Sequence, residues 1–255
     1  MKKGIKIFIA VLAAVIVITA VAAAVYVIDF YHAKGVAEYM ESGGGVAVSE
    51  ITNKNINAKF GAYLFDGPGE TDALIFYPGA KVEETAYAPL MRAVAEGGVD
   101  CFLVKMPLHL AFFGANIADL IIADRSLTED GYEHYWLAGH SLGGAMAANH
   151  AAELPGIYSG LFLLASYPTE DLSRAHIPVT FICGENDGVI NRDKLEAGLS
   201  LAPDHEYVEI RGGNHAGFGS YGRQRGDGSA DIAAEEQWSV TAEEILKRTE
   251  GMRTR

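Results

Sequence analysis

An aromatic and apolar run of strand length, Glu133 to Ala138, meets a run of small helix formers, Ala145 to Leu154, across Gly139-His140-Ser141-Leu142-Gly143-Gly144. Pro155-Gly156 closes the second run. Few backbones satisfy this pattern. A serine on a tight strand-to-helix turn sits in strained backbone, and a side chain on either flank would clash. Glycines at 139 and 143 remove those clashes and leave the Ser141 hydroxyl projecting outward. The helix then begins beneath the serine, so its N–H groups and positive dipole end point at any negative charge developing there. A G-x-S-x-G turn between strand and helix presents a serine as a nucleophile.

The rest of the chain alternates in the same manner. Strands are expected over 60–65, 73–77, 101–104, 160–165, 179–183 and 207–210, each short and almost wholly apolar. Asp66-Gly67-Pro68-Gly69 is a turn between the first two. Between the strands, Tyr87, Leu90, Met91 and Val94 follow helical spacing, with Pro89 in the first turns and Gly97-Gly98 at the end. Residues 117–123 and 191–201 also read as helices, and a last helix carries Trp238, Ala242, Ile245 and Leu246 on one face. Continuous apolar strands alternating with helices imply an α/β fold, a mostly parallel sheet covered on both sides. Ala165 and Val179 are only 14 positions apart. That leaves no room for a large cap, so an open site is expected.

A serine nucleophile needs a base, and the base needs an orienting acid. In parallel sheets such groups sit on loops at the carboxyl ends of strands. Gly184-Glu185-Asn186-Asp187-Gly188 follows one strand, and Arg211-Gly212-Gly213-Asn214-His215-Ala216-Gly217 follows the last. Ser141, Asp187 and His215 thus fall after three different strands. Glu185 and Asp171 compete with Asp187 for the acid. His140 reads as a packed residue bordering the cleft, while His150 and His205 read as structural or solvated. His109, Phe112 and Phe113 follow a strand end and are candidates to line an acyl pocket, against the commoner reading of aromatics as core. Arg223 and Arg225 read as solvated loop residues, with attraction of an anionic substrate as the alternative. No metal-ligand spacing, P-loop or dinucleotide fingerprint occurs, so no cofactor and no metal are expected.

Over roughly residues 60 to 250 the chain resembles the α/β-hydrolase fold superfamily. It is most similar to small, capless esterase-like members, through Tyr77-Pro78-Gly79, Gly139-His140-Ser141-Leu142-Gly143-Gly144 and Gly213-Asn214-His215. The loop Phe218-Gly219-Ser220-Tyr221-Gly222 through Gly226-Asp227-Gly228 adds to the likeness. Dienelactone hydrolases are related capless enzymes with a cysteine nucleophile where this chain has Ser141, which argues against their particular reaction. The resemblance implies a triad of Ser141 as nucleophile, His215 as base and Asp187 as its orienting acid. It also implies an oxyanion hole from the backbone N–H groups of Leu142 and Ala80.

The N-terminus is basic through Lys2, Lys3 and Lys6, and residues 7–28 then carry no charge. A helix of that length is about 33 Å long, enough to cross the hydrocarbon core. It is expected to be a signal anchor over 1–28, followed by a juxtamembrane segment over 29–58 and the hydrolase domain over 59–255. Gly43-Gly44-Gly45 reads as a flexible joint. Lysines before the span, with Asp29 and Glu38 after it, place the domain on the extracytoplasmic side of the cell membrane. Cleavage near Ala20-Val21-Ala22 or Ala22-Ala23-Ala24 is the alternative and would yield a secreted protein. The net charge of −13 excludes nucleic acid as a partner. Cys101 and Cys183 lie in apolar strands and read as buried small hydrophobes.

These features together imply a serine hydrolase of small carboxylic esters or thioesters, working through an acyl-enzyme. Two alternatives stand beside it. One is an acyltransferase on envelope components, in which an alcohol replaces water. The other is a non-catalytic binding module on the same scaffold, which would be expected to carry a damaged triad.

Overall fold

The computed structural model describes residues 2–53, 60–124 and 131–253. Among them one sheet of eight strands holds the chain together. Its strands are β1 (Ala47–Asn53), β2 (Phe60–Asp66), β3 (Asp72–Tyr77), β4 (Asp100–Val104), β5 (His134–His140), β6 (Gly160–Leu164), β7 (Val179–Gly184) and β8 (His205–Ile210). The order across the sheet is β1-β2-β4-β3-β5-β6-β7-β8. β1 and β2 run antiparallel, and every pairing from β3–β4 to β7–β8 is parallel. All the strand stretches expected from the sequence are present, and β1 is added to them.

The helices are α1 (Lys2–Ile28), α2 (Ala88–Glu96), α3 (Ile117–Ala123), α4 (Leu142–Glu153), α5 (Arg192–Ser200) and α6 (Ala234–Arg253). Side chains alternate across β3. Leu74 and Phe76 join Leu90, Met91, Val94, Trp238, Ala242 and Ile245 on the face covered by α2 and α6. Ala73, Ile75 and Tyr77 join Ile117, Ile121, Ala147, Ala148 and Leu195 on the face covered by α3, α4 and α5. Cys101 and Cys183 are free and buried in those cores. Between β6 and β7 no helix or strand forms, so no large cap covers the carboxyl end of the sheet.

Gly43-Gly44-Gly45 is not a flexible joint here. Gly44 and Gly45 have φ of +63° and +87°, and the residues around them, Gly43 and Val46, exchange backbone hydrogen bonds of 2.9 and 3.1 Å. The glycines make the tight turn that starts β1, a conformation two successive residues with side chains would strain. The stretch from Tyr39 to Gly43 is fastened to the domain: Arg92 bonds the carbonyls of Tyr39, Glu41 and Gly43. α1 is long and apolar enough to cross a membrane, as a signal sequence also would be, and its most apolar window is not buried within the protein.

The amino end of the sheet carries buried acids. Asp72 accepts from the Trp136 indole at 2.9 Å. Asp100 accepts from Gly67 N–H at 2.8 Å and from the Tyr132 hydroxyl at 2.7 Å. Burial pushes the Asp100 carboxyl up to about 6, with Asp66 and Glu70 adding to the push and those hydrogen bonds opposing it. An acid raised on folding holds its proton in the folded state where the unfolded chain has lost it. Stability therefore falls as pH climbs from the ordinary 3.8 through about 6, and the loss persists above. Asp100→Asn removes this contribution. The melting temperature of the variant minus that of the native protein is expected to rise between about pH 4 and 6 and then level off. A difference independent of pH in scanning calorimetry would contradict this assignment.

Candidate active site

Ser141 stands between the end of β5 and the first residue of α4, with φ of 52° and ψ of −124°. Its N–H donates to Leu164 O of β6 at 2.9 Å. Its carbonyl accepts from Ala145 N–H at 3.1 Å and from the Ser166 hydroxyl at 2.7 Å. The flanking glycines are sterically required. A Cβ on Gly139 would lie 2.6 Å from Gly143, and one on Gly143 only 2.2 and 2.3 Å from the carbonyls of Tyr77 and Pro78.

β7 and β8 bring the other two residues together. His215 Nδ1 lies 2.8 Å from Asp187 Oδ2, and both side chains are buried. The other carboxylate oxygen of Asp187 accepts from Val189 and Ile190 N–H, each at 2.8 Å. Burial raises the Asp187 carboxyl, but the hydrogen bond and charge of His215 and those two N–H groups outweigh it and hold the carboxyl below its ordinary value. With Nδ1 donating to the carboxylate, a neutral imidazole presents the lone pair of Nε2. That atom is buried and has no hydrogen-bond partner among the described residues.

Ser141, Leu142 and His215 line one cavity of about 590 Å³, walled by apolar residues of α4 and α5 and of the loops after β6 and β7, among them Met146, Pro168, Val189 and Leu201. Ala80 does not line it. It lies in the loop after β3, whose strand pairs with β5 at Tyr77 and Gly139. The Leu142 N–H is in the first turn of α4, where amides have no intrahelical partner.

The rival residues have other partners. Glu185 accepts from Gly212 N–H at 2.8 Å, and Asp171 is exposed and accepts from Ser173. His150 pairs with Asp119 at 2.9 Å, and His205 with Ala202 O at 2.6 Å. Arg223 and Arg225 are exposed. His109, Phe112 and Phe113 do not line the cavity, which corrects the expectation of an acyl pocket there. His109 stacks instead on Phe30 at 4.0 Å, and both phenylalanines are exposed. His140 is fully buried; its Nδ1 is 2.8 Å from Tyr87 Oη, which accepts from Gly79 N–H at 3.1 Å.

A family model described as alpha/beta hydrolase family matches residues 73–239. The chain belongs to that family. Among proteins of curated function no sequence matches. Solved structures extend the likeness at the level of fold. Est1E from Butyrivibrio proteoclasticus is 17% identical with a TM-score of 0.60, over 78% of this chain and 98% of that one. The dienelactone hydrolase of Anabaena variabilis is 16% identical with a TM-score of 0.59, over 78% and 96%. Carboxyl esterase 2 of the mycorrhizal fungus Tuber melanosporum is 11% identical with a TM-score of 0.60, over 86% and 91%.

One residue of this hydrolase escaped the sequence reading. The Asp227 carboxylate accepts from Gly188 and His215 N–H at 3.2 Å each, and from Ala216 and Gly228 N–H at 2.8 Å each. A single side chain thus ties the loop carrying Asp187 to the loop carrying His215. No periodicity marks it; the one signal was its place between two glycines in a long polar loop. Asp227→Asn sets an NH₂ against backbone N–H groups. A stability loss of about 1–3 kcal/mol in chemical denaturation is expected. Amide exchange at Gly188, His215 and Ala216 should accelerate together, and unchanged exchange at all three would remove Asp227 from this role.

Proposed function

We propose that this protein is a serine hydrolase of carboxylic esters or thioesters, with Ser141 as nucleophile, His215 as base and acid, and Asp187 as its orienting partner. The observation that carries the reading is the buried 2.8 Å bond from His215 to Asp187 behind a cavity that Ser141 shares. Esters are favoured because carboxyl esterase 2 and a bacterial heroin esterase have this fold.

Ser141 Oγ attacks the acyl carbonyl carbon and gives its proton to His215 Nε2. The contact between the two closes with substrate bound, as such bonds often tighten only in the complex. Asp187 keeps Nδ1 protonated and stabilises the imidazolium. The tetrahedral oxyanion is held by the N–H groups of Leu142 and Ala80, with the N-terminal end of α4 behind the first. As the intermediate collapses, the C–O or C–S bond breaks and the leaving group takes the proton from Nε2. Water then attacks the acyl-enzyme, losing a proton to His215, and Ser141 is regenerated with release of the acid. The apolar cavity of about 590 Å³ suits an acyl or alcohol part of modest size. α1 is read as an uncleaved anchor, with the lysines that precede it in the cytoplasm and the domain on the other side.

A fluorophosphonate probe on the purified protein tests the nucleophile. Single-site labelling is expected, abolished in Ser141→Ala and accompanied by a loss of kcat of about 10⁴-fold or more on p-nitrophenyl esters. Asp187→Asn should keep the fold yet lower kcat by about 10³–10⁴-fold, because the imidazole loses its tautomer control. A well-folded native protein that takes no label would overturn the reading and favour a binding module.

A further inference from the structure

We propose that the loops after β3 and β4 rest on the bilayer, so that the site takes a membrane-resident ester whose tail stays in the lipid. The inference rests on α1 being a membrane span. It starts from how little chain separates that helix from the catalytic domain. Lys81 Nζ lies 3.0 Å from Asp29 and 4.4 Å from the ring centre of Tyr26, in the last turn of α1. Phe30 stacks on His109 at 4.0 Å, and Tyr31 N–H donates to Lys81 O at 2.6 Å. Lys34 and Ser220 then exchange bonds of 2.7 Å each. No slack remains. Where α1 leaves the hydrocarbon, the loop containing Ala80 and Lys81 is already in contact.

The neighbouring loop is apolar and uncovered. Of the five large hydrophobic side chains exposed outside α1 among the described residues, three lie here: Leu108 at 51%, Phe112 at 67% and Phe113 at 59%. Solvent-exposed aromatics in such a cluster mark a contact surface. Flexibility does not explain them. Ala111 between them is buried in the core, the turn is closed by Phe113 N–H to Leu110 O at 3.0 Å, and it packs on α4. A rigid turn therefore holds two phenylalanines outward beside the exit of the anchor. Tyr and Trp are the usual residues of the membrane interface, and phenylalanine and leucine enter it from amphipathic surfaces.

The partner is lipid rather than an anionic surface. Lys81 is paired with Asp29, His109 has Glu84 at 3.7 Å, and His32 has Glu83 at 3.3 Å, so the basic groups beside the aromatic turn each face an acid. A chain of net charge −13 gains nothing from anionic headgroups. β4, β3 and β5 are adjacent, so the end of β4, which leads into the aromatic turn, and the end of β5, which leads into Ser141, are about two strand spacings, ~10 Å, apart. Over that distance an amphiphile can keep its tail in the bilayer while its ester reaches the serine.

The test uses the full chain reconstituted in zwitterionic phosphatidylcholine vesicles. Flotation with the vesicles reports α1 alone. Phe113→Trp adds an indole at the turn, read as the difference from the native protein with its buried Trp136 and Trp238. Quenching of that added emission by brominated phosphatidylcholine is expected, at low and high salt alike. Phe112→Asp with Phe113→Asp should float normally and hydrolyse p-nitrophenyl acetate like the native protein. It should lose about fivefold or more on 4-methylumbelliferyl palmitate held in the vesicles. A chain that floats with its added indole unquenched overturns the docking and leaves the anchor standing. A double variant equal to native on both esters overturns the membrane-resident substrate. A chain that does not float overturns the anchor, and this proposal with it.

Discussion

The backbone of Ser141 is the constraint on which the other parts depend. A residue with a side chain in that sparsely populated conformation costs on the order of 1–3 kcal/mol, and it persists only where its surroundings over-determine it. Three hydrogen bonds do so, one from its own N–H to β6 and two onto its carbonyl. The turn also demands that α4 enter almost in contact with the end of β3. Hence the helix buries Gly143, Gly144, Ala147, Ala148 and Ala151 against the sheet. Larger residues there would hold the helix off, separating the Leu142 amide from the loop of Gly79 and Ala80. The small-residue helix is thus a packing requirement first, and the nearness of its first turn to the end of β3 follows from it.

The histidine side is arranged by polar groups that satisfy one another in the interior. Asp227 gathers N–H groups from two loops, and Gln237 of α6 both donates to Asn214 O at 2.8 Å and accepts from Asn214 N–H at 3.1 Å. Such networks rigidify when every member is satisfied. His140 completes the wall, its ring 4.6 Å from that of His215. Burial, and then the nearness of His215, hold the His140 imidazole well below its ordinary range. It therefore stays neutral and accepts the proton of the Tyr87 hydroxyl, itself kept protonated by burial. A charged His140 would oppose the imidazolium that the proposed mechanism forms on His215. The packed histidine matters for the charge it lacks.

Much of this was legible because the informative signals are local. An apolar run such as Leu74 to Tyr77 can only be a strand buried on both faces, and a loop after each strand is where Asp187 and His215 had to be sought. β1 was not legible. Ala47 to Asn53 is half polar, as an edge strand is, and it follows three glycines whose turn geometry and flexibility look alike in a sequence. Strand order was also out of reach, since pairing β3 between β4 and β5 is a long-range choice. Asp227 was missed for the same reason: its partners in the Asp187 and His215 loops are 11 to 39 positions away. The aromatics at 112 and 113 show the opposite failure. Their composition says only that water is a poor solvent for them, and the fold decides whether a pocket or a surface receives them.

The N-terminal segment links attachment to chemistry. The Gly79–Lys81 loop bends through Lys81 at φ of 58°, a conformation that costs energy for a residue with a side chain. Two bonds hold it there: Lys81 N–H to His109 O at 2.8 Å and Tyr31 N–H to Lys81 O at 2.6 Å. The second comes from the chain that has just left α1. The amide of Ala80 precedes Lys81 directly, so the aim of that amide depends on residues lying outside the hydrolase core in sequence. A domain cut within residues 31–40 would keep its sheet and the His215–Asp187 bond while losing one of the two ties on this loop. The chain leaving α1 and the Gly79–Lys81 loop therefore form one mechanical unit, joined through the five residues between α1 and Lys34.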